Sequence, residues 1–369
     1  GPDRRRTVGA WSGLGGVATA IGPVLGGFLV GLAPWGWRLA FLINVPLAVL
    51  VVLLAVRTVP ETRDEQADAR PDVTGAVLAA AGLALAVYAL TVGPQRGWSG
   101  PVVGCLLAGL ALLIAFLLTE ARSSHPMMPL ALFRDRDFSG ANAVTLVVYA
   151  ALSGALFLIP VQLQRVSGFS PVEAGSALLP ITVVMLLLSA RMGRLATGIG
   201  PRLPMTVGPV VAGAGLALLV RVGPHASYVL DLLPALLVFS LGLSATVAPL
   251  TATVLAAAPH RQAGVASAVN NDIARVAGLL AVAVLPGLAG ITPSAYDDAA
   301  RLSAGFHHAV LIAGALCAFG GVLSFLTIRR RPDPAGSAAA DAPTPRSVPT
   351  HCAISAPPAP VDGSATATS

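Results

Sequence analysis

Long apolar runs separated by short polar segments set the pattern of this chain. The runs fall near residues 8–33, 37–56, 74–93, 101–119, 139–163, 171–190, 203–222, 228–255, 264–290 and 306–328. A bilayer core about 30 Å thick takes roughly 20 helical residues to cross, and all ten runs have about that length. A barrel strand would alternate apolar and polar positions, and these runs do not. Backbone polar groups in lipid must be satisfied within the segment itself, which a helix does. The pattern therefore predicts an all-α integral membrane bundle of about ten transmembrane helices.

Composition agrees. Of 369 residues, 55% are hydrophobic and 11% charged, and the mean hydropathy is +0.78. So few charges cannot cover a water-facing surface, and lipid is the expected partner. All 23 Lys+Arg residues are Arg, and the formal charge is +6. Their placement explains that charge better than nucleic acid does. Sixteen arginines fall in one set of loops and five (Arg38, Arg96, Arg165, Arg221 and Arg301) in the other. The positive-inside rule makes the richer set cytoplasmic and places both ends of the chain there, in a multi-pass protein of the cytoplasmic membrane. From Pro332 onward Ala, Pro, Ser and Thr dominate, which predicts a disordered tail.

Cys105, Cys317 and Cys352 have no metal or disulfide spacing. No phosphate-binding glycine loop followed by Lys is present, and no hydrolase triad or zinc-protease motif. The expectation is a non-enzymatic protein without metal or cofactor.

Four segments carry a family resemblance. Residues 18–27 read Ala-Thr-Ala-Ile-Gly-Pro-Val-Leu-Gly-Gly, and 35–46 read Trp-Gly-Trp-Arg-Leu-Ala-Phe-Leu-Ile-Asn-Val-Pro. Pro160-Val-Gln-Leu-Gln-Arg-Val-Ser-Gly-Phe-Ser-Pro171 continues to Leu179-Pro180, and Pro259-His-Arg-Gln-Ala-Gly-Val-Ala-Ser-Ala-Val-Asn-Asn271 follows later. Together they resemble the major facilitator superfamily, specifically its fourteen-helix drug/proton antiporter branch of the EmrB/QacA type. The chain departs from that pattern at Gln162, where the family usually has Tyr, and at Thr197, where a cytoplasmic loop motif has Asp. The resemblance covers the chain to about Arg331 and implies helices five to fourteen. Residues 1–56 would hold the last two helices of the N-terminal half. Residues 57–137 would hold loops and two extra central helices, 138–331 the C-terminal six-helix half, and 332–369 the cytoplasmic tail. Four helices, with the family's usual proton-binding carboxylate, would precede these, so the chain by itself is expected to be inactive.

Candidate residues form three groups. Ala18, Gly22, Pro23, Gly26 and Gly27 match the antiporter signature; Ala18, Gly22 and Gly26 are four apart and form one smooth helix face. Small residues let helices approach closely, so packing and sealing of the cavity against proton leak are both consistent with that face. Gly193, Arg194, Gly200 and Arg202 resemble the loop motif, although topological anchoring by Arg explains them equally well. Asn270, Asn271, Asp272 and Arg275 lie well inside the run 264–290, with Asp272 roughly 12 Å from its start at about 1.5 Å per residue. A mid-membrane charge costs at least about 2.5 kcal/mol and marks function by default. Asp272 and Arg275 are three apart and able to pair, so a structural ion pair and a proton pathway both fit. Asn142, Gln162 and Gln164 offer hydrogen bonds to substrate or to neighbouring helices. Glu173, Asp231, Asp297, Asp298, His307 and His308 read as helix caps or loop residues.

The resemblance implies proton-coupled efflux of drugs or small amphipathic metabolites, with lipid, substrate and protons as partners and no nucleic acid. Export of an amino acid, sugar or lipid precursor is the alternative, as is a non-functional truncated fragment.

Overall fold

The computed structural model describes residues 21–58, 72–123 and 126–329. Their regular structure is helical: α1 (Ile21–Gly31), α2 (Trp37–Leu42), α3 (Asn44–Thr58), α4 (Val73–Arg96), α5 (Gly100–Arg122), α6 (Arg136–Arg165), α7 (Pro171–Ser176), α8 (Leu179–Ile199), α9 (Arg202–Leu218), α10 (Leu233–Ala256), α11 (Ala263–Leu288) and α12 (Ala299–Thr327). Among the described residues nine helical stretches are long and apolar enough to cross a membrane, with α2–α3 and α7–α8 each forming one stretch. They match nine of the ten runs. The first run is described only over Ile21–Gly31, and both Ala18 and the tail lie outside the described residues. The last span starts at Ala299 rather than near 306, because Asp298 caps it by accepting from the N–H groups of Ala300 and Arg301.

Helices α6 and α8 to α12 pack into a bundle in which α9 lies along both α10 and α12. Glycine makes that possible. A Cβ on Gly208 would sit 2.5 Å from the Thr246 hydroxyl and 2.9 Å from the Gly242 carbonyl of α10; one on Gly213 would sit 2.5 Å from the Gly314 carbonyl of α12. Lipid supplies no hydrophobic drive between helices, so such close backbone packing must supply the attraction through dispersion. At the arginine-rich end α6 and α12 are tied by polar bonds. Arg136 Nη2 donates to the Leu326 carbonyl at 2.7 Å, and Asp137 Oδ1 accepts the Arg329 N–H at 2.9 Å.

Helices α4 and α5 form a hairpin that leans on α11. Their midpoint contact again needs glycine: a Cβ on Gly82 would lie 3.1 Å from the Gly109 carbonyl. The arginine-rich end is locked by carboxylates. Asp72 caps α4, its Oδ1 accepting from Gly75 N at 2.8 Å, and Glu120 Oε2 accepts from Met128 N at 3.0 Å. The remaining oxygens, Asp72 Oδ2 and Glu120 Oε1, are buried without a hydrogen-bond partner and lie 2.5 and 3.1 Å from where a Cβ on Gly75 would stand. Only hydrogen on the Gly75 Cα fits between them.

The smooth face expected on α1 is displaced by one residue. Gly22 and Gly26 face open space, with nothing within 4 Å of an added Cβ. Instead, a Cβ on Gly27 would overlap the Pro171 carbonyl at the start of α7, and one on Gly175 would overlap the Pro23 carbonyl of α1. The contact therefore runs along Pro23 and Gly27, four residues apart on one face of α1.

Gly27→Leu is expected to destabilise the chain by about 1–3 kcal/mol through overpacking, seen as a lower melting temperature in detergent, whereas Gly26→Leu leaves it unchanged. Equal shifts for both would count against the Pro23–Gly27 contact. Gly75→Ala is expected to cost a similar amount and to open the α4–α5 hairpin to proteolysis after Arg122; an unaltered digestion pattern would contradict the carboxylate lock.

Candidate functional site

The site is built on α11, which α6 holds in a fixed rotation. Asn270 Nδ2 donates to Asn142 Oδ1 at 3.0 Å and to Thr145 Oγ1 at 2.7 Å. Asn142 in turn donates to the Phe138 carbonyl at 3.0 Å, and Thr145 to the Ala141 carbonyl at 3.0 Å. Farther along, a Cβ on Gly278 would come within 2.9 Å of the Ser153 hydroxyl, and Gly154 admits the Leu285 side chain. Both faces of contact are polar and small, so the helices meet closely and cannot rotate without breaking these half-buried interhelical hydrogen bonds.

With Asn270 fixed toward α6, the opposite stripe of α11 is uncovered. Gly264, Ala268, Asn271, Asp272, Arg275, Leu279 and Val282 are all exposed, at helical spacing, while Ala266, Val269, Ala277 and Leu285 are buried. The polar members lie near the middle of a 26-residue helix. At about 1.5 Å per residue Asp272 is roughly 14 Å from the helix start and Arg275 roughly 18 Å, both within the depth of a bilayer core. The two do not pair. Among the described residues the ion pair formed is Arg301–Asp298, at 3.2 Å and exposed. Asn271 Nδ2 donates to the Ser267 carbonyl at 3.1 Å, which leaves its amide oxygen free as an acceptor. The stripe thus presents a carboxylate, a guanidinium and an amide oxygen.

The other predicted residues divide. Asn142 and Asn270 bond to each other and so join α6 to α11. Gln162, 1% exposed, donates to the Val222 carbonyl at 3.0 Å and to Ser303 Oγ at 3.2 Å, joining α6 to α12, and its Oε1 is buried without a partner. Gln164 is exposed. His307, read as a cap or loop residue, joins the Gln162 cluster through a 3.2 Å contact to the same Val222 carbonyl. Glu173 and Ser170 form a capping box on α7, and Asp231 Oδ2 accepts from Ser227 N at 2.8 Å.

In the loop motif Gly200 ends α8 at φ 85°, a backbone angle that favours glycine. Arg202 stacks on Phe325 of α12 at 4.2 Å. Gly193 and Arg194 do not join them: a Cβ on Gly193 would touch Ala248, and Arg194 is exposed. Thr197, at the Asp position, donates back to the Arg194 carbonyl at 2.7 Å. Sequence reasoning missed Glu120, a lone carboxylate in the last turn of an apolar run, and the Asp72 cap, although Asp just before an apolar run is a helix-start signal.

Comparison with known proteins places this geometry. The sequence profile of the Major Facilitator Superfamily matches residues 1–283. The multidrug resistance protein Stp of Mycobacterium tuberculosis is 34% identical over 292 residues, covering 77% of this chain and 52% of that protein. The tetracenomycin C resistance and export protein of Streptomyces glaucescens is 33% identical over 279 residues, covering 75% and 51%. The probable actinorhodin transporter of Streptomyces coelicolor is 32% identical over 317 residues, covering 80% and 54%. The chain spans about half the length of these relatives. A profile match over most of the chain, an all-helical fold and relatives named for resistance and transport lead to one conclusion: this chain belongs to the Major Facilitator Superfamily.

Proposed function

We propose that this chain works in proton-coupled efflux of drugs or small amphipathic metabolites across the cytoplasmic membrane, as part of the fourteen-helix branch of its family. The observation that carries the reading is the uncovered stripe on α11, where Asp272 and Arg275 stand unpaired at mid-span. An unpaired mid-membrane charge is expensive and persists where it serves an ion or substrate path. The relatives' names, which speak of multidrug resistance, tetracenomycin C export and actinorhodin transport, support an amphipathic organic cargo.

In this reading Asp272 takes up a proton when its face opens outward and releases it when its face opens to the cytoplasm, and cargo occupies the face in the alternate step. Arg275 lies about one turn deeper on the same exposed stripe. Rocking of one helical bundle against another would expose the stripe alternately. The arginine-rich ends of the helices lie in the cytoplasm, in keeping with the positive-inside rule. The α4–α5 hairpin is the central insertion of the fourteen-helix branch, and the contact along Pro23 and Gly27 seals α1 against α7 at the outer side.

In everted vesicles carrying the full-length protein, Asp272→Asn is expected to reduce proton-driven efflux to the level of empty vesicles, and Asp272→Glu to retain part of it. Unchanged efflux in Asp272→Asn would remove the proton-site assignment. Asn270→Leu is expected to weaken the α6–α11 contact by about 0.6–1.7 kcal/mol, the range for interhelical hydrogen bonds in membranes, and to lower the melting temperature. A melting temperature equal to wild type would show that Asn270 does not hold the stripe in place.

A further inference from the structure

A cavity of about 400 Å³ lies where the α4–α5 hairpin meets α11, at the arginine-poor end and away from Asp272. Its lining is graded. The polar groups Gln95, Thr292 and Tyr296 stand at the ends of helices: Gln95 is the penultimate residue of α4, and Tyr296 lies in the short turn Pro293–Asp297 before α12. Phe157 and Val282 lie deeper, while Pro94, Ile291 and Pro293 stand at the level of the polar groups. Phe157 is eight residues before the end of α6, roughly 12 Å in at about 1.5 Å per residue, and Val282 is roughly 9 Å from the end of α11. One wall is the contact of α4 with α11, where a Cβ on Gly287 would lie 3.1 Å from Pro94. Val282 is also the last member of the uncovered α11 stripe, so the cavity continues that stripe outward.

The chemistry of the lining selects its occupant. No Asp, Glu, Arg or His side chain contributes to it. The Tyr296 hydroxyl and the Gln95 amide make no hydrogen bond among the described residues, and the Thr91 hydroxyl, which donates to the Val87 carbonyl at 2.8 Å, keeps lone pairs free to accept. A phosphate or ammonium headgroup would find no opposite charge here. A hydroxyl, carbonyl or amide head would find donors and acceptors at interface depth, with apolar wall below it. The volume is that of a site for a drug-sized molecule, not a two-chain lipid. We infer that this cavity binds an uncharged, drug-sized amphiphile, head toward Tyr296 and Gln95 and body against Phe157 and Val282. That this ligand belongs to the exported cargo rests on the efflux reading; the binding site itself does not.

The test is photolabelling of the full chain in nanodiscs of zwitterionic phospholipid, with a diazirine-bearing long-chain alcohol as probe and adducts mapped by mass spectrometry. Adducts are expected on the peptides containing Thr91–Gln95 and Val282–Gly287, competed by an unlabelled alcohol of equal chain length but not by the matching quaternary ammonium compound. Tyr296→Phe, which keeps the volume and loses one hydroxyl, is expected to weaken competition about two- to tenfold, the worth of one neutral hydrogen bond. Ala283→Trp, which fills the cavity, is expected to abolish labelling. Adducts spread over all lipid-facing helices and unmoved by either variant would overturn the site. Equal competition by the ammonium compound would overturn its preference for an uncharged head. A phospholipid retained at these peptides in native mass spectrometry and not displaced by the alcohol would overturn the proposed occupant. If Asp272→Asn leaves efflux intact while labelling behaves as expected, the efflux mechanism fails and the site stands.

Discussion

Close backbone approach at glycine is the constraint on which the rest of the bundle depends. In water, apolar helices are driven together; in lipid their apolar side chains are as well solvated apart as together. What holds α9 between α10 and α12 is dispersion at contact distance, which falls steeply when a gap of even half an ångström opens. At Gly208 and Gly213 a neighbouring carbonyl stands only 2.9 and 2.5 Å from where a Cβ would be. That contact gives α12 something to pack on, α6 packs on α12, and α6 in turn sets the rotation of α11.

The polar staples add direction to packing that has little of its own. Asn270, Asn142 and Thr145 form a connected set of buried and half-buried hydrogen bonds, and in a low-dielectric interior a broken member leaves a costly unpaired group. They therefore act as a register key. Their consequence is on the far side of α11, where Asp272 and Arg275 are turned away from α6. The same logic applies to Gln162, whose bonds to Val222 and Ser303 bring the arginine-poor ends of α6, α9 and α12 together.

The hairpin α4–α5 shows a different solution. The lock at its arginine-rich end uses two carboxylates around one glycine, with half of their oxygens committed to backbone N–H groups. Its other end only leans on α11, through Pro94 and Gly287, and leaves a cavity rather than a seam. A tightly closed end and a loosely docked end on the same hairpin suit an element that borders a binding site.

The spans were legible in the sequence because bilayer thickness imposes a length and lipid imposes an apolar composition, and both are local properties of a run. Arginine bias and the family's motifs are likewise local. Which side of each helix faces a neighbour was not legible. These helices are apolar all round, so periodicity carries no inward signal, and α3 exposes every residue it has. Sequence spacing therefore favoured Ala18, Gly22 and Gly26 as the contact face, while the structure uses Pro23 and Gly27. Spacing likewise allowed Asp272 and Arg275 to pair, and they do not. Asn142 and Asn270, 128 residues apart, meet through packing that no local pattern encodes. The sequence by itself determined how many helices cross and what charges they carry to mid-membrane. Only the tertiary structure decided which of those groups bind each other and which are left to face a ligand, because that choice depends on the rotation of one helix against another.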